Sequence, residues 1–342
     1  MADTPGRRLR RRLVTFPAMA AALVLVWALS PALFVAAGLA DLARGGRGFV
    51  TIRLVVFAMA FVVIENLGLL RLLATGATTR AGTPARLART YAAQRFYTGA
   101  LLAAVKVIFQ LKFVVEDGEL AATGPYVVFM RHAAVVDVLV PGGFIANAHE
   151  IELRYILKRE LLVEPALDLA GNWIPNHFVD RSGADTKTEL AAIAALKAGL
   201  GPRQAVLVYP EGTRFSPALR ASLLGKLEGE PLARAKELTH LLPIRPGGAL
   251  TLLAAPPTCD VVFVGHHGLE GLTRVRDVWR KGLLGQTITV KFWRVPAAEI
   301  PAGDDARLRW LHGHWRRVDA WLEGFEGGRD APPPDSEAQS AS

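Results

Sequence analysis

The chain predicts an α/β domain, a sheet with helices on both faces, set behind an N-terminal hydrophobic helical anchor. Two observations carry this expectation. Two long apolar runs occupy the first 75 residues, and after Gly118 short apolar strands alternate with helical stretches. Such alternation places helices over both faces of a sheet. Of the 342 residues, 51% are hydrophobic and 21% charged, with a formal net charge of +9. A basic, apolar chain suits an anionic membrane surface or phosphate-bearing substrates. No helix-turn-helix, zinc-finger or aromatic RNA-binding pattern occurs, so nucleic acid is not an expected partner. The single cysteine, Cys259, excludes an intrachain disulfide and a cysteine-based zinc cluster, and fits a reducing compartment.

The N-terminus reads MADTPGRRLRRRLV, with five arginines between Arg7 and Arg12. An apolar run from Leu13 to Leu42 follows, interrupted by Pro17 and Pro31. It is too long for the apolar region of a signal peptide, and a second apolar segment, Leu54 to Leu73, comes after it. About 20 apolar residues span a bilayer, and the first run meets that length. The second contains Glu65, Asn66 and Arg71, and crosses only if the polar groups find partners or lie near an interface. A re-entrant or interfacial hairpin is the other reading. The arginine cluster favours a cytoplasmic N-terminus. With two crossings or with a hairpin, the remainder lies on the cytoplasmic side of the cell (inner) membrane.

Residues 1–75 are therefore read as the anchor and 76–118 as an amphipathic, interfacial linker helix. Within the linker, Tyr91 to Val115 either lies along the membrane with its lysine stems snorkelling or forms a packed helix running into a strand. Residues 119–326 form the α/β domain. PYVVFM and LRYILK read as strands, RELLVEPALDLAG as helical, and WIPNHFVDR as extended. ADTKTELAAIAALKAGLG is a helix in which Thr186 and Glu189 suit a capping box. QAVLVYPEG is a strand entering a loop, CDVVFVG and TITVKFWRV are further strands, and Asp304 to Phe325 is helical. The tail, 327–342, has almost nothing to bury and is expected to be disordered.

Polar residues collect where strands of such a sheet end, the usual position of functional groups. The first group, Arg131, His132 and Asp137, follows PYVVFM; the second is His177, Asp180 and Arg181; the third is Glu211, Gly212, Thr213 and Arg214, after AVLVYP. Residues five apart on an ideal helix point about 140° away from each other, so His132 and Asp137 meet only if the histidine occupies the turn before the helix. A carboxylate on one ring nitrogen would leave the other free as a base. The plain alternative is a strand-to-helix turn with a capping histidine. No serine or cysteine nucleophile stands beside the pair, which suits activation of a substrate hydroxyl rather than an acyl-enzyme. Gly212 allows close backbone approach, and Thr213 and Arg214 supply donors for an anionic oxygen. Arg181 adds a second guanidinium, while Glu211 either orients the arginines or holds the loop. The plain alternative for YPEGTRF is a surface turn with an exposed ion pair. His177 is a secondary candidate, and His266 and His267 follow a strand without a feature that places them in a site.

Taken in order, the His-x4-Asp spacing, the Phe178-Val-Asp-Arg181 stretch, YPEGTR and LLPIRPGG resemble the glycerolipid acyltransferase family of the lysophosphatidic acid acyltransferase (PlsC) type, over roughly Pro125 to Pro246. The resemblance implies a mixed sheet flanked by helices, of the glycerol-3-phosphate acyltransferase kind, with a hydrophobic anchor. It implies that His132 and Asp137 are the catalytic pair, that Arg181 belongs to the second motif, and that Glu211, Gly212, Thr213 and Arg214 bind phosphate. The implied reaction moves a fatty acyl group from acyl-CoA or acyl-carrier protein to a lysophospholipid hydroxyl, without metal or cofactor. The implied acceptor is 1-acylglycerol 3-phosphate, with membrane lipids as partners. An acyltransferase for a glycolipid or aminolipid, and a non-catalytic lipid-binding relative, are the other readings. The sequence departs from the family at Arg131, where Asn or His is usual, and in the Ala-Ala-Val-Val filling of the motif. An arginine there either depresses the histidine's basicity or holds an additional anionic group.

Overall fold

The computed structural model describes residues 4–46, 48–179, 186–272, 274–281 and 283–327. The strands are β1 (Lys112–Glu116), β2 (Tyr126–Met130), β3 (Glu152–Lys158), β4 (His177–Val179), β5 (Gln204–Val208), β6 (Asp260–His267) and β7 (Thr287–Val295). The helices are α1 (Pro5–Ala28), α2 (Ser30–Ala43), α3 (Val50–Thr78), α4 (Pro84–Phe109), the single turn α5 (Leu139–Pro141), α6 (Pro165–Trp173), α7 (Thr186–Ala195), α8 (Pro217–Leu224), α9 (Gly229–Lys236), α10 (Pro246–Ala254), α11 (Val275–Lys281) and α12 (Asp304–Gly327).

Among the described residues the strands form one sheet in the order β1-β7-β6-β2-β5-β3-β4. The five strands from β6 to β4 are mutually parallel, whereas β7 runs antiparallel to β6 and carries β1 parallel to itself. The sheet is therefore mixed, as expected. Side chains alternate across it, so Val128 and Met130 of β2 enter one core with Leu101, Val105 and Phe109 of α4. Val127 and Phe129 enter the other, with Leu252 and Leu253 of α10 and Leu311, Trp315 and Val318 of α12. Helices thus cover both faces, which explains why β2 is apolar at every position.

Several sequence expectations change in detail. The stretch 91–115 is the packed alternative: Tyr91, Leu101, Val105 and Phe109 are buried in α4, and β1 joins the sheet by pairing with β7. The sheet therefore begins inside the segment 76–118 that was read as a linker. The helical stretch after β3 divides into a 3-10 turn, Arg159–Val163, and α6, because Pro165 starts a new helix. Glu189 contacts His177 Nε2 through Oε2 at 2.6 Å, and the Thr186 half of the expected capping box lies outside the described side chains. The tail beyond Gly327 also lies outside the described residues.

The N-terminal helices make a long hairpin against the domain. α1 and α3 are each long and apolar enough to cross a membrane, by length and composition. α3 buries a stripe that includes Met59, Val62, Glu65, Leu69 and Leu72, at the three- and four-residue spacing of one helix face. Its polar residues have partners: Glu65 Oε1 accepts from Ala166 N at 2.8 Å, Asn66 Nδ2 donates to Val62 O at 2.7 Å, and Arg71 lies 3.7 Å over the Phe96 ring. At one end of the hairpin, Arg11 Nη2 and Arg12 Nε reach the buried Asp168 carboxylate at 2.7 and 2.9 Å. At the other, Arg44 stacks 3.9 Å over Trp279, whose indole N–H donates to Thr51 Oγ1 at 2.9 Å. The outer side exposes Val24, Leu25, Trp27, Val35, Leu39 and Leu70.

Asp168→Asn should loosen the first end while keeping the bond to Asn172. Both guanidiniums are partly exposed and can rehydrate, so the expected cost is about 1–3 kcal/mol rather than that of a fully buried pair. Hydrogen exchange should rise across residues 5–20 with the sheet unchanged. Unaltered protection there would show that the arginine cluster does not hold the hairpin.

Candidate active site

Parallel neighbours β5, β2 and β6 end at the same edge, so the segments that leave them converge. In register, Phe129 of β2 lies beside Val208 of β5 and Phe263 of β6. The loop after β2 carries Arg131, His132 and Asp137, that after β5 carries Tyr209 to Arg214, and β6 finishes with His266 and His267.

His132 sits in the turn beyond β2, before the first helical turn of α5, which is the arrangement its spacing from Asp137 requires. Its Nδ1 lies 3.1 and 3.2 Å from the two Asp137 oxygens. Asp137 Oδ2 also accepts from Ala133 N at 2.7 Å and Ala134 N at 2.8 Å, so the carboxylate closes the turn on which the histidine rides. The carboxyl is fully buried. Burial by itself would raise its pKa, but the neighbouring His132 and His266 imidazoles outweigh burial and hold it below the usual carboxylate range. Since Nδ1 faces the carboxylate, Nε2 is the nitrogen left for a substrate, and the Tyr209 ring lies 4.4 Å from the imidazole, centre to centre.

Glu211 holds the loops together. Its Oε1 accepts from His132 N at 3.1 Å and its Oε2 from Leu242 N at 3.3 Å, while Phe215 N donates to His132 O at 2.7 Å. The backbone of His132 is thus pinned from both sides by the 211–215 segment, with the Glu211 carboxyl in contact with the loop backbone. Burial raises the Glu211 carboxyl to about 8, against the lowering pull of the His132 N–H, Arg131 and the Leu242 N–H. Gly212 has φ of +68°, and a Cβ there would stand 2.7 Å from Arg245 Cδ. Arg245 is exposed and precedes Pro246 at the start of α10; its N donates to Pro210 O at 2.8 Å. The guanidinium stem of Arg245 therefore runs along the Gly212 backbone, a neighbour that LLPIRPGG hinted at without placing.

Arg131 does not face the site as an anion receptor. It is buried, with Nη1 2.5 Å from both Glu270 Oε1 and the His266 carbonyl, and Nη2 3.3 Å from His240 O. Burial would raise Glu270, but bonds from His267 and the charge and bond of Arg131 hold its carboxyl well below the usual range. Arg131 is thus a neutralised strut between the ends of β2 and β6, so neither reading of its charge applies as stated. His266, which had no assigned place, is fully buried with Nε2 3.5 Å from Asp137 Oδ2. Asp180 and Arg181 lie outside the described residues. His177 on β4 faces Glu189 rather than the His132 pair.

Residues 112–264 match the family model described as Acyltransferase. The matched stretch runs from the start of β1 into β6. In three dimensions it is similar to the crystal structure of the 1-acyl-sn-glycerophosphate (LPA) acyltransferase PlsC from Thermotoga maritima, with a TM-score of 0.52 and 16% identity over 84% of this chain and 100% of that one. At that identity the structural likeness speaks to the fold alone. No curated protein matches the chain.

Two outcomes check the loop geometry. Gly212→Ala should displace Arg245 and strain a left-handed residue, costing about 1 kcal/mol or more of stability and loosening the loop. Because the folded Glu211 pKa is raised, its contribution to stability is present below the ordinary value of 4.5 and is lost as pH rises toward about 8. Across that window Glu211→Gln should show a flatter dependence of Tm on pH than the wild type; parallel curves would contradict the assignment.

Proposed function

We propose that this protein transfers a fatty acyl group from acyl-CoA or acyl-carrier protein to the sn-2 hydroxyl of 1-acylglycerol 3-phosphate, giving phosphatidic acid. The observation that carries the reading is the buried Asp137 carboxylate on His132 Nδ1, which leaves Nε2 as a base beside the EGTR loop. His132 Nε2 takes the hydroxyl proton as the oxygen attacks the thioester carbonyl. Asp137 stabilises the imidazolium. The carbon–sulfur bond then breaks, and the departing thiolate takes the proton back from the imidazolium. The Gly212 backbone, Thr213 and Arg214 hold the acceptor phosphate, with Arg181 as a further donor and Arg245 beside Gly212. Positioning of this kind supplies up to roughly 7–11 kcal/mol in well-oriented systems.

The same proposal seats the hairpin along one face of the membrane. α3 has 29 residues and measures roughly 43 Å at 1.5 Å per residue, longer than a hydrocarbon core of about 30 Å. The domain touches the hairpin near Arg11 and again near Thr51, and Glu65 meets Ala166 between them. A domain outside the bilayer cannot grip both ends of a helix that crosses it. The hairpin alternative therefore fits better than two crossings, with the apolar outer side turned to lipid.

Acyl transfer should be measured with labelled acyl-CoA and acyl-carrier protein against a panel of lysolipids. His132→Ala should lower turnover by about 10²–10⁴-fold. Undiminished transfer would sink the assigned base. Arg214→Ala should raise KM for phosphate-bearing acceptors, and an unchanged KM would point to a glycolipid or aminolipid acceptor. For the seating, a cysteine at exposed Ala43 should react with an impermeant reagent from the same side as the catalytic domain; labelling from the opposite side requires two crossings.

A further inference from the structure

His266 is a buried titratable group outside the proposed base pair. Its ring is fully buried, and among the described residues neither ring nitrogen has a hydrogen-bond partner. Its nearest ionic neighbour is Asp137, whose Oδ2 lies 3.5 Å from Nε2. An imidazole buried without a partner is unfavourable, so its orientation toward a carboxylate calls for an explanation. The surrounding backbone fixes this orientation. Arg131 holds the His266 carbonyl at 2.5 Å and is itself held by Glu270, whose other oxygen accepts from Gly268 N at 2.8 Å. On the other side, His266 pairs in the sheet with Val290 of β7.

Resting on the reading of His132 as the base, we infer that His266 is a positioning residue: its Nε2–H donates to Asp137 Oδ2 and fixes that carboxylate against His132. Catalytic contacts tighten as charge develops, and this one shortens when His132 takes a proton and Asp137 must face an imidazolium. Removing the donor lets Asp137 bind the His132 proton more strongly while aiming the imidazole less well. The charged group at the ring is Asp137; Tyr209, Glu211 and His132 act on Asp137, Arg131 holds the His266 carbonyl, and His267 pairs with Glu270 in the following turn. All of these are left in place by substitutions at position 266.

The test compares His266→Gln, which keeps a donor near the Nε2 position, with His266→Leu, which fills the space without one. His266→Leu should lower kcat by on the order of 10- to 100-fold with KM unchanged, and move the acid limb of kcat upward by roughly half to one pH unit. His266→Gln should restore most of both. Histidine-labelled NMR titration of the full chain in detergent reads the same His132 shift without turnover. A transfer assay that fails in the wild type would overturn the acyl-transfer reading, while the titration still decides the coupling. Identical His132 titration in all three proteins overturns the inference. So does equal impairment or equal unfolding of both variants, which would assign the ring a packing role.

Discussion

One buried negative charge organises this site. Asp137 has no access to solvent, so its carboxylate exists only because the chain supplies donors around it. Two come from the backbone of the turn it closes, and a third is the imidazole of His132. The short, apolar filling of the motif is compatible with this arrangement, since the Ala133 and Ala134 side chains are themselves buried and contribute their N–H groups rather than side-chain polarity. A turn wound about a carboxylate is stiff, so the proposed base loses little entropy when substrate arrives.

The second constraint is the join between chain segments far apart in sequence. Glu211 ties the loop after β5 to the backbone of His132 and to Leu242, and Arg131 ties the end of β2 to the end of β6. Each tie is a buried polar group bonded to main chain, which fixes position more sharply than apolar packing does. Arg131 illustrates how residue type misleads when its surroundings are hidden. An arginine next to a catalytic histidine suggests a perturbed base or an additional anion. In the folded chain its charge is already matched by Glu270, and its effect is mechanical.

Much of this was legible in the sequence. The alternation after Gly118 announced the strands and the helices on both faces, and a continuous apolar β2 announced burial on both sides. The spacing of His132 and Asp137 dictated that the histidine precede the helix. Other features depend on register, which a single sequence does not display. β1 stood in the sequence only as one of two readings of an apolar stretch, because its identity comes from pairing with β7, 175 residues later at Lys112 and Thr287. His266 ends an ordinary core strand, and only the parallel alignment of β6 with β2 brings it under Asp137. Glu65 read as a liability in a membrane segment; its partner, the Ala166 N–H, belongs to a helix end a hundred residues away.

The two-ended grip on the hairpin has a mechanical consequence for the membrane seating proposed above. A helix that crosses a bilayer must match its hydrophobic thickness and responds to lipid tail length by tilting. In the proposed seating, an arm clamped alongside the domain has no such length to match. It displaces headgroup area instead, so curvature and lateral packing, rather than thickness, become the surface properties to which it would respond.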